Sequence, residues 1–174
     1  MNRFKKLFGK LDPENEKSNS IRPDFTKLIN SSELNKSIIE LDDYICELCD
    51  YGEKMDNLTE PQKIYFYIQN LEREVNNGGF NQFYLNSSGD FAHETLGSLK
   101  IIGANITAEI VKKANDQFPD FKVPKKRIER QEVLEMIEDK AKETWEVLDQ
   151  EFFEYKDDLN SLNMDFVKIN VVEF

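Results

Sequence analysis

Glycine and proline are scarce in this 174-residue chain, at seven and five, and that scarcity disfavours a turn-rich all-β fold. Histidine occurs once, at His93, and cysteine twice, at Cys46 and Cys49. A zinc centre needs about four ligands, so carboxylates would have to complete any shell built on these three residues. No apolar run approaches the length of a membrane-spanning helix, and no signal-peptide core is present. Basic residues are outnumbered 23 to 34, leaving a net charge of −11. That sign opposes direct binding of nucleic acid, because phosphates would be repelled over most of the surface.

Catalytic signatures are missing as well. His93-Glu94-Thr95-Leu96-Gly97 opens like a zinc-protease helix, but Gly97 stands where the second histidine belongs. There is no Glu-x-x-His pair for a di-iron bundle, no phosphate loop, no dinucleotide fingerprint and no Gly-x-Ser-x-Gly elbow. Nothing in the spacing favours contact between His93 and either cysteine. The expectation is therefore a chain that is not an enzyme, with no catalytic residues, no cofactor and no metal. Cys46 and Cys49 fall inside a helical pattern, where thiols pack as small apolar groups. Reduced thiols suit a cytoplasmic setting.

What the chain does have is helical periodicity. Ser32 is placed to cap a helix carrying Leu34, Ile38, Leu41, Ile45 and Leu48, ended by Gly52. Thr59-Glu60-Pro61-Gln62 is a helix start with capping-box spacing and a first-turn proline, continued by Ile64, Ile68, Leu71 and Val75. Asp90 is placed to cap a helix through Ala92, Leu96, Leu99 and Ile102, stopped by Gly103. Another carries Ile106, Ile110, Val111, Ala114 and Phe118. Stripes at Leu134, Ile137 and Ala141, at Trp145, Leu148, Phe152 and Tyr155, and at Leu159, Leu162, Phe166 and Ile169 predict two or three more. Val167–Phe174 is rich in β-branched residues and could end in a short extended segment. The fold expected is all-α, a single compact multi-helix domain over residues 24–174.

Residues 1–23 read as a flexible basic leader and polar linker. Phe4, Leu7, Phe8 and Leu11 lie at helical spacing, and the charges among the first ten residues, Arg3, Lys5, Lys6 and Lys10, are all basic. Such a segment suits weak contact of residues 1–11 with an anionic membrane, or docking on the acidic face of the protein itself.

Two features stand apart. The first is the corner Glu74 to Asp90, where Asn77, Gly78, Gly79, Phe80, Gln82, Asn86 and Gly89 mix amides, glycines and aromatics. Two glycines supply positive-φ positions that end a helix, and aromatics demand burial directly afterwards. The polar side chains Glu74, Asn77, Asn81, Gln82, Asn86 and His93 could line a small-ligand cleft. The stronger expectation is that side-chain amides satisfy backbone groups orphaned at the helix end. The second feature is acidity. Residues 129–158 hold twelve acids against four bases, and Glu132, Glu135, Asp139, Glu143 and Glu146 recur every three or four residues along one row. That row suits a cationic partner, although its charges are sparser than the one per roughly 1.7 Å of duplex DNA.

The corner, with Leu99-Lys100-Ile101-Ile102-Gly103-Ala104 after it and Leu148–Phe153 and Phe166–Asn170 further on, resembles the bacterial DNA-mimic-protein-like domain family over about residues 33–174. The resemblance implies an all-helical cytoplasmic protein and, from one member described as a dimeric mimic bound to a transcription repressor, a homodimer with a basic transcription regulator as partner. The basic leader departs from the family pattern. The functional expectation is an acidic protein-interaction module that mimics DNA toward a basic DNA-binding or regulatory protein. The alternatives are a membrane-peripheral adaptor tethered by residues 1–11 and a small-ligand binder at the Asn-Gly-Gly corner.

Overall fold

A computed structural model describes residues 22–174, and those residues are all-α, with no strand among them. The expectations for residues 1–11 and the linker after them lie outside the described residues. The helices are α1 (Phe25–Ile29), α2 (Leu34–Leu48), α3 (Glu60–Leu85), α4 (Ala92–Ile101), α5 (Asn105–Asn115), α6 (Arg127–Phe153) and α7 (Leu159–Ile169).

The start of α3 follows from its sequence. The Thr59 hydroxyl accepts the Gln62 amide at 3.3 Å, while the Gln62 side chain accepts the Thr59 amide at 3.0 Å, with Pro61 in the first turn. Asp24 caps α1 and Asp158 caps α7 in the same way, each accepting a backbone amide three residues on. Other caps differ from expectation. Glu33, not Ser32, occupies the N-cap of α2, and its amide is taken by Ser31 Oγ at 3.0 Å. That helix ends at Leu48, before Gly52, because Asp50 and Tyr51 already adopt positive φ.

The C-terminal stripes also merge. Ala141, Trp145, Leu148 and Phe152 continue one i, i+4, i+7, i+11 register with no glycine or proline between them, so two expected helices are the single α6. After α7 the chain closes in a 3-10 turn, Val171–Glu173, and not in an extended segment. Ile106 and Ile169, expected in core stripes, are exposed.

The long helix α3 organises two cores. Its first half packs Tyr65 and Phe66 with Phe25, Leu41, Ile45, Met164, Val167 and Phe174. Its second half packs Phe80, Phe83 and Tyr84 with Leu99, Val111, Phe118, Trp145, Leu148 and Phe152. Tyr84 sits at the centre of the second core, its ring centroid 4.8 Å from that of Phe118 and 5.3 Å from that of Trp145. Their polar tips are satisfied inside the core: Tyr84 Oη donates to Asn115 Oδ1 at 2.7 Å, and Trp145 Nε1 donates to the Ala114 carbonyl at 3.2 Å.

Cys46 and Cys49, at the end of α2, are free and buried. Burial, reinforced by the nearby Asp42 charge, pushes the Cys46 thiol up to about 12, far from the thiolate that reactive cysteines need.

Candidate functional site

At the corner, helical dihedrals fail only at Gly78 and Gly79 and resume at Phe80, so α3 is two helical halves joined by a two-residue break. Only Gly79 takes positive φ, at 71°; Gly78, at −165°, is in extended territory open to any residue. The break leaves the Phe80 amide without a helical partner. Asp149 of α6 supplies one, Oδ1 accepting that amide at 2.8 Å, an N-cap delivered from 69 residues away. A Cβ on Gly79 would run into the same carboxylate. Burial holds Asp149 above the usual carboxylate range, the Phe80 amide opposes this, and Glu146 adds to it.

The amide side chains have a different job from the one expected. Gln82 Nε2 and Asn86 Nδ2 both donate to Glu74 Oε2 at 2.8 Å, and Ser88 Oγ donates to Glu74 Oε1 at 3.3 Å. They satisfy a carboxylate, and the orphaned backbone carbonyls go elsewhere. Arg130, wholly buried, donates from Nε to the Tyr84 carbonyl at 2.6 Å and from Nη2 to the Asn86 carbonyl at 2.9 Å. Its Nη1 reaches the carbonyls of Pro124 at 2.8 Å and Lys125 at 3.1 Å, and Nη2 also meets Asp90 Oδ1 at 2.5 Å. A guanidinium carries five N–H donors, and each has work here. Asp90 is thereby withdrawn from its expected capping role, and α4 begins after Phe91 with no side-chain cap. Gly89 is required because a Cβ would meet the Arg130 guanidinium, 2.6 Å from Nε.

The remaining corner candidates do not converge. Asn77 is exposed, Asn81 is exposed with Nδ2 3.3 Å from Glu138 Oε1, and exposed His93 places Nε2 3.1 Å from the Val123 carbonyl.

The acidic row is on α6. At about 100° per residue, Glu132, Glu135, Asp139, Glu143 and Glu146 fall opposite the core stripe of Leu134, Ile137, Ala141, Trp145, Leu148 and Phe152. All five are exposed, and none has a side-chain hydrogen bond or ion pair among the described residues. From Glu132 to Glu146 the row runs about 21 Å at 1.5 Å per residue. Exposed Met136 lies within its span and exposed Ile128 and Val147 lie just beyond its ends, and Arg127, Lys140 and Lys142 are the exposed cations of the same helix. Arg130, by contrast, is buried and tied to Asp90, so it does nothing to offset the outward charge.

Sequence reasoning missed Arg130 and Asp149. A signal for Arg130 was present: it lies in register with Leu134, Ile137 and Ala141, where an arginine on an apolar stripe needs a buried partner. Asp149 carried no such mark.

An all-helical domain with a break-and-cap corner and an outward acidic helix face defines the class of protein. The chain belongs to the DMP19-like protein family, the DNA-mimic proteins that its corner resembles; the family model matches residues 56–170, from just before α3 through α7. The match begins later than the resemblance at residue 33, leaving α1 and α2 outside it. No curated protein and no solved structure matches.

Proposed function

We propose that this chain is an acidic protein-interaction module whose α6 face binds the basic surface of a DNA-binding or regulatory protein, in place of DNA. It acts in the cytoplasm as a binding partner and not as a catalyst. The observation that carries this reading is the α6 row: five carboxylates held outward by a packed helix, with no partner among the described residues. Like charges at three- and four-residue spacing cost a few tenths of a kcal/mol per pair, and an opposing cationic surface would reverse that sign. Membership of the DNA-mimic family supports the same reading. No described helix is long and apolar enough to cross a membrane.

One helix row places a charge about every 5 Å, against roughly 1.7 Å along the duplex axis. A second copy in a homodimer would add another row. Ile128, Met136 and Val147 add apolar contact, so salt is expected to weaken binding without abolishing it.

The test is capture from the native cell lysate at low salt, eluted by a salt gradient and, separately, by duplex DNA. One basic DNA-binding protein released by both supports mimicry. A lysate that yields nothing sensitive to salt or to duplex reduces the acidity to solvation.

A further inference from the structure

The outward face of α6 and residues 1–11 are complementary in charge and in pattern. Between Glu132 and Glu146, α6 carries six acids against two lysines, and five of those acids form the exposed row. Residues 1–11, outside the described residues, hold four cations and no acid. Arg3, Lys6 and Lys10 recur at the three- and four-residue spacing of the row, with Phe4, Leu7, Phe8 and Leu11 beside them. The α6 face offers apolar contact as well, with Met136 71% exposed within the row's span and Val147 59% exposed just beyond it. At helical rise, eleven residues cover about 16 Å, the distance from Glu146 back to Glu135.

The tether is long enough. The Phe25 ring of α1 packs against Phe174, which meets Tyr65 of α3. From Tyr65, the C-terminal end of α6 lies about 16 Å along α3, where Asn76 meets Tyr155. Glu146 is about 13 Å further on, because α6 runs antiparallel to α3, with Tyr155, Asp149 and Arg130 against Asn76, Phe80 and Tyr84 in turn. The eleven peptide units from Leu11 to Arg22 span up to about 36 Å.

Charge selects α6 over the other outward row. On α2, exposed Glu40, Asp43 and Glu47 share a face with exposed Lys36, each three or four residues from the next. Three acids with a lysine in line attract a cationic segment less than the five of α6 do.

We propose that residues 1–11 dock on the α6 face of their own chain, with Arg3, Lys6 and Lys10 against the acidic row, and act there as a tethered competitor for the cationic surface that this face binds. The competition rests on the protein-binding role of α6 given above; the docking does not. A flexible tether of this length gives an effective concentration on the order of millimolar. A partner must displace the segment, and its apparent affinity falls in proportion to the fraction of free face.

The test is paramagnetic relaxation in the full-length protein with Asn2→Cys carrying a nitroxide; Cys46 and Cys49 are buried and escape the label. The expected result is broadening of the α6 amides from Glu135 to Glu146 at low salt, unchanged on dilution. It should disappear at about 0.5 M salt, and in a variant combining Arg3→Glu, Lys5→Glu, Lys6→Glu and Lys10→Glu. That variant should bind the basic protein captured from lysate about fivefold more tightly than the natural protein, as a face free about one-fifth of the time requires. Broadening on α2, on no helix, or surviving the charge reversal would overturn the docking. So would binding of the segment to vesicles of anionic phospholipid while α6 stays unbroadened. Docking with no gain in affinity on charge reversal would overturn the competition. Docking with no basic protein captured would uphold the docking and remove the protein-binding role of α6.

Discussion

The acids of the corner and the acids of the α6 outer face are chemically alike and structurally opposite. Glu74 accepts three side-chain donors, Asp149 caps the restarted helix, and Asp90 holds Arg130. Glu132, Glu135, Asp139, Glu143 and Glu146 touch no such partner among the described residues. A carboxylate drawn inside a fold must be satisfied there, and once satisfied it is scaffold. A carboxylate kept outside by the helix register costs the fold little and remains available to another molecule. The composition counts both sets together as net charge; the geometry separates them.

Substitutions can break that contrast, and the largest effect belongs to Arg130. Arg130→Met strips donors from four backbone carbonyls and leaves Asp90 only the looser pairing with Arg127, 3.9 Å away. A loss of about 3–4 kcal/mol is expected, roughly 10 °C in Tm, measurable by urea and thermal unfolding. Next comes Gly79→Ala, which combines the strain of positive φ with displacement of Asp149 from the Phe80 amide, for about 2 kcal/mol. Combined with Asp149→Ala, the two losses should fall short of additive, because both remove the same cap. Glu74→Ala leaves three donors of the corner without their acceptor and should cost about 1–2 kcal/mol in the same unfolding experiment.

The smallest effect sharpens the comparison through pH. Asp149 has a folded pKa raised above its usual 3.8. The fold therefore favours the protonated form, and that contribution is fully present below 3.8 and lost as pH rises through the raised value. Asp149→Asn cannot titrate, so it should gain stability relative to the natural protein as the pH is raised from about 3 to 7. Urea midpoints of both proteins across that range check this, and a constant difference would contradict it.

Much of the scaffold is legible in the sequence. The Thr59–Gln62 capping box, the break at Gly78-Gly79 and the apolar stripes are local signals, and local signals place α3, α4, α5 and α7. The corner chemistry is not local. Asp149 reaches Phe80 across 69 residues, and Arg130 reaches Tyr84 across 46. Amides near a helix end suggest backbone partners by proximity, and only the folded packing shows that they serve Glu74 while Arg130 serves the carbonyls. The α6 row was readable because it needs only one helix and its register.

The most direct test compares the natural protein with a variant carrying glutamine at Glu132, Glu135, Asp139, Glu143 and Glu146, titrated against the basic protein captured from lysate. The variant should unfold within about 0.5 kcal/mol of the natural protein, as surface substitutions do, yet lose most of its affinity and salt dependence. Retention of full affinity and of an unchanged salt slope by the variant would contradict the account.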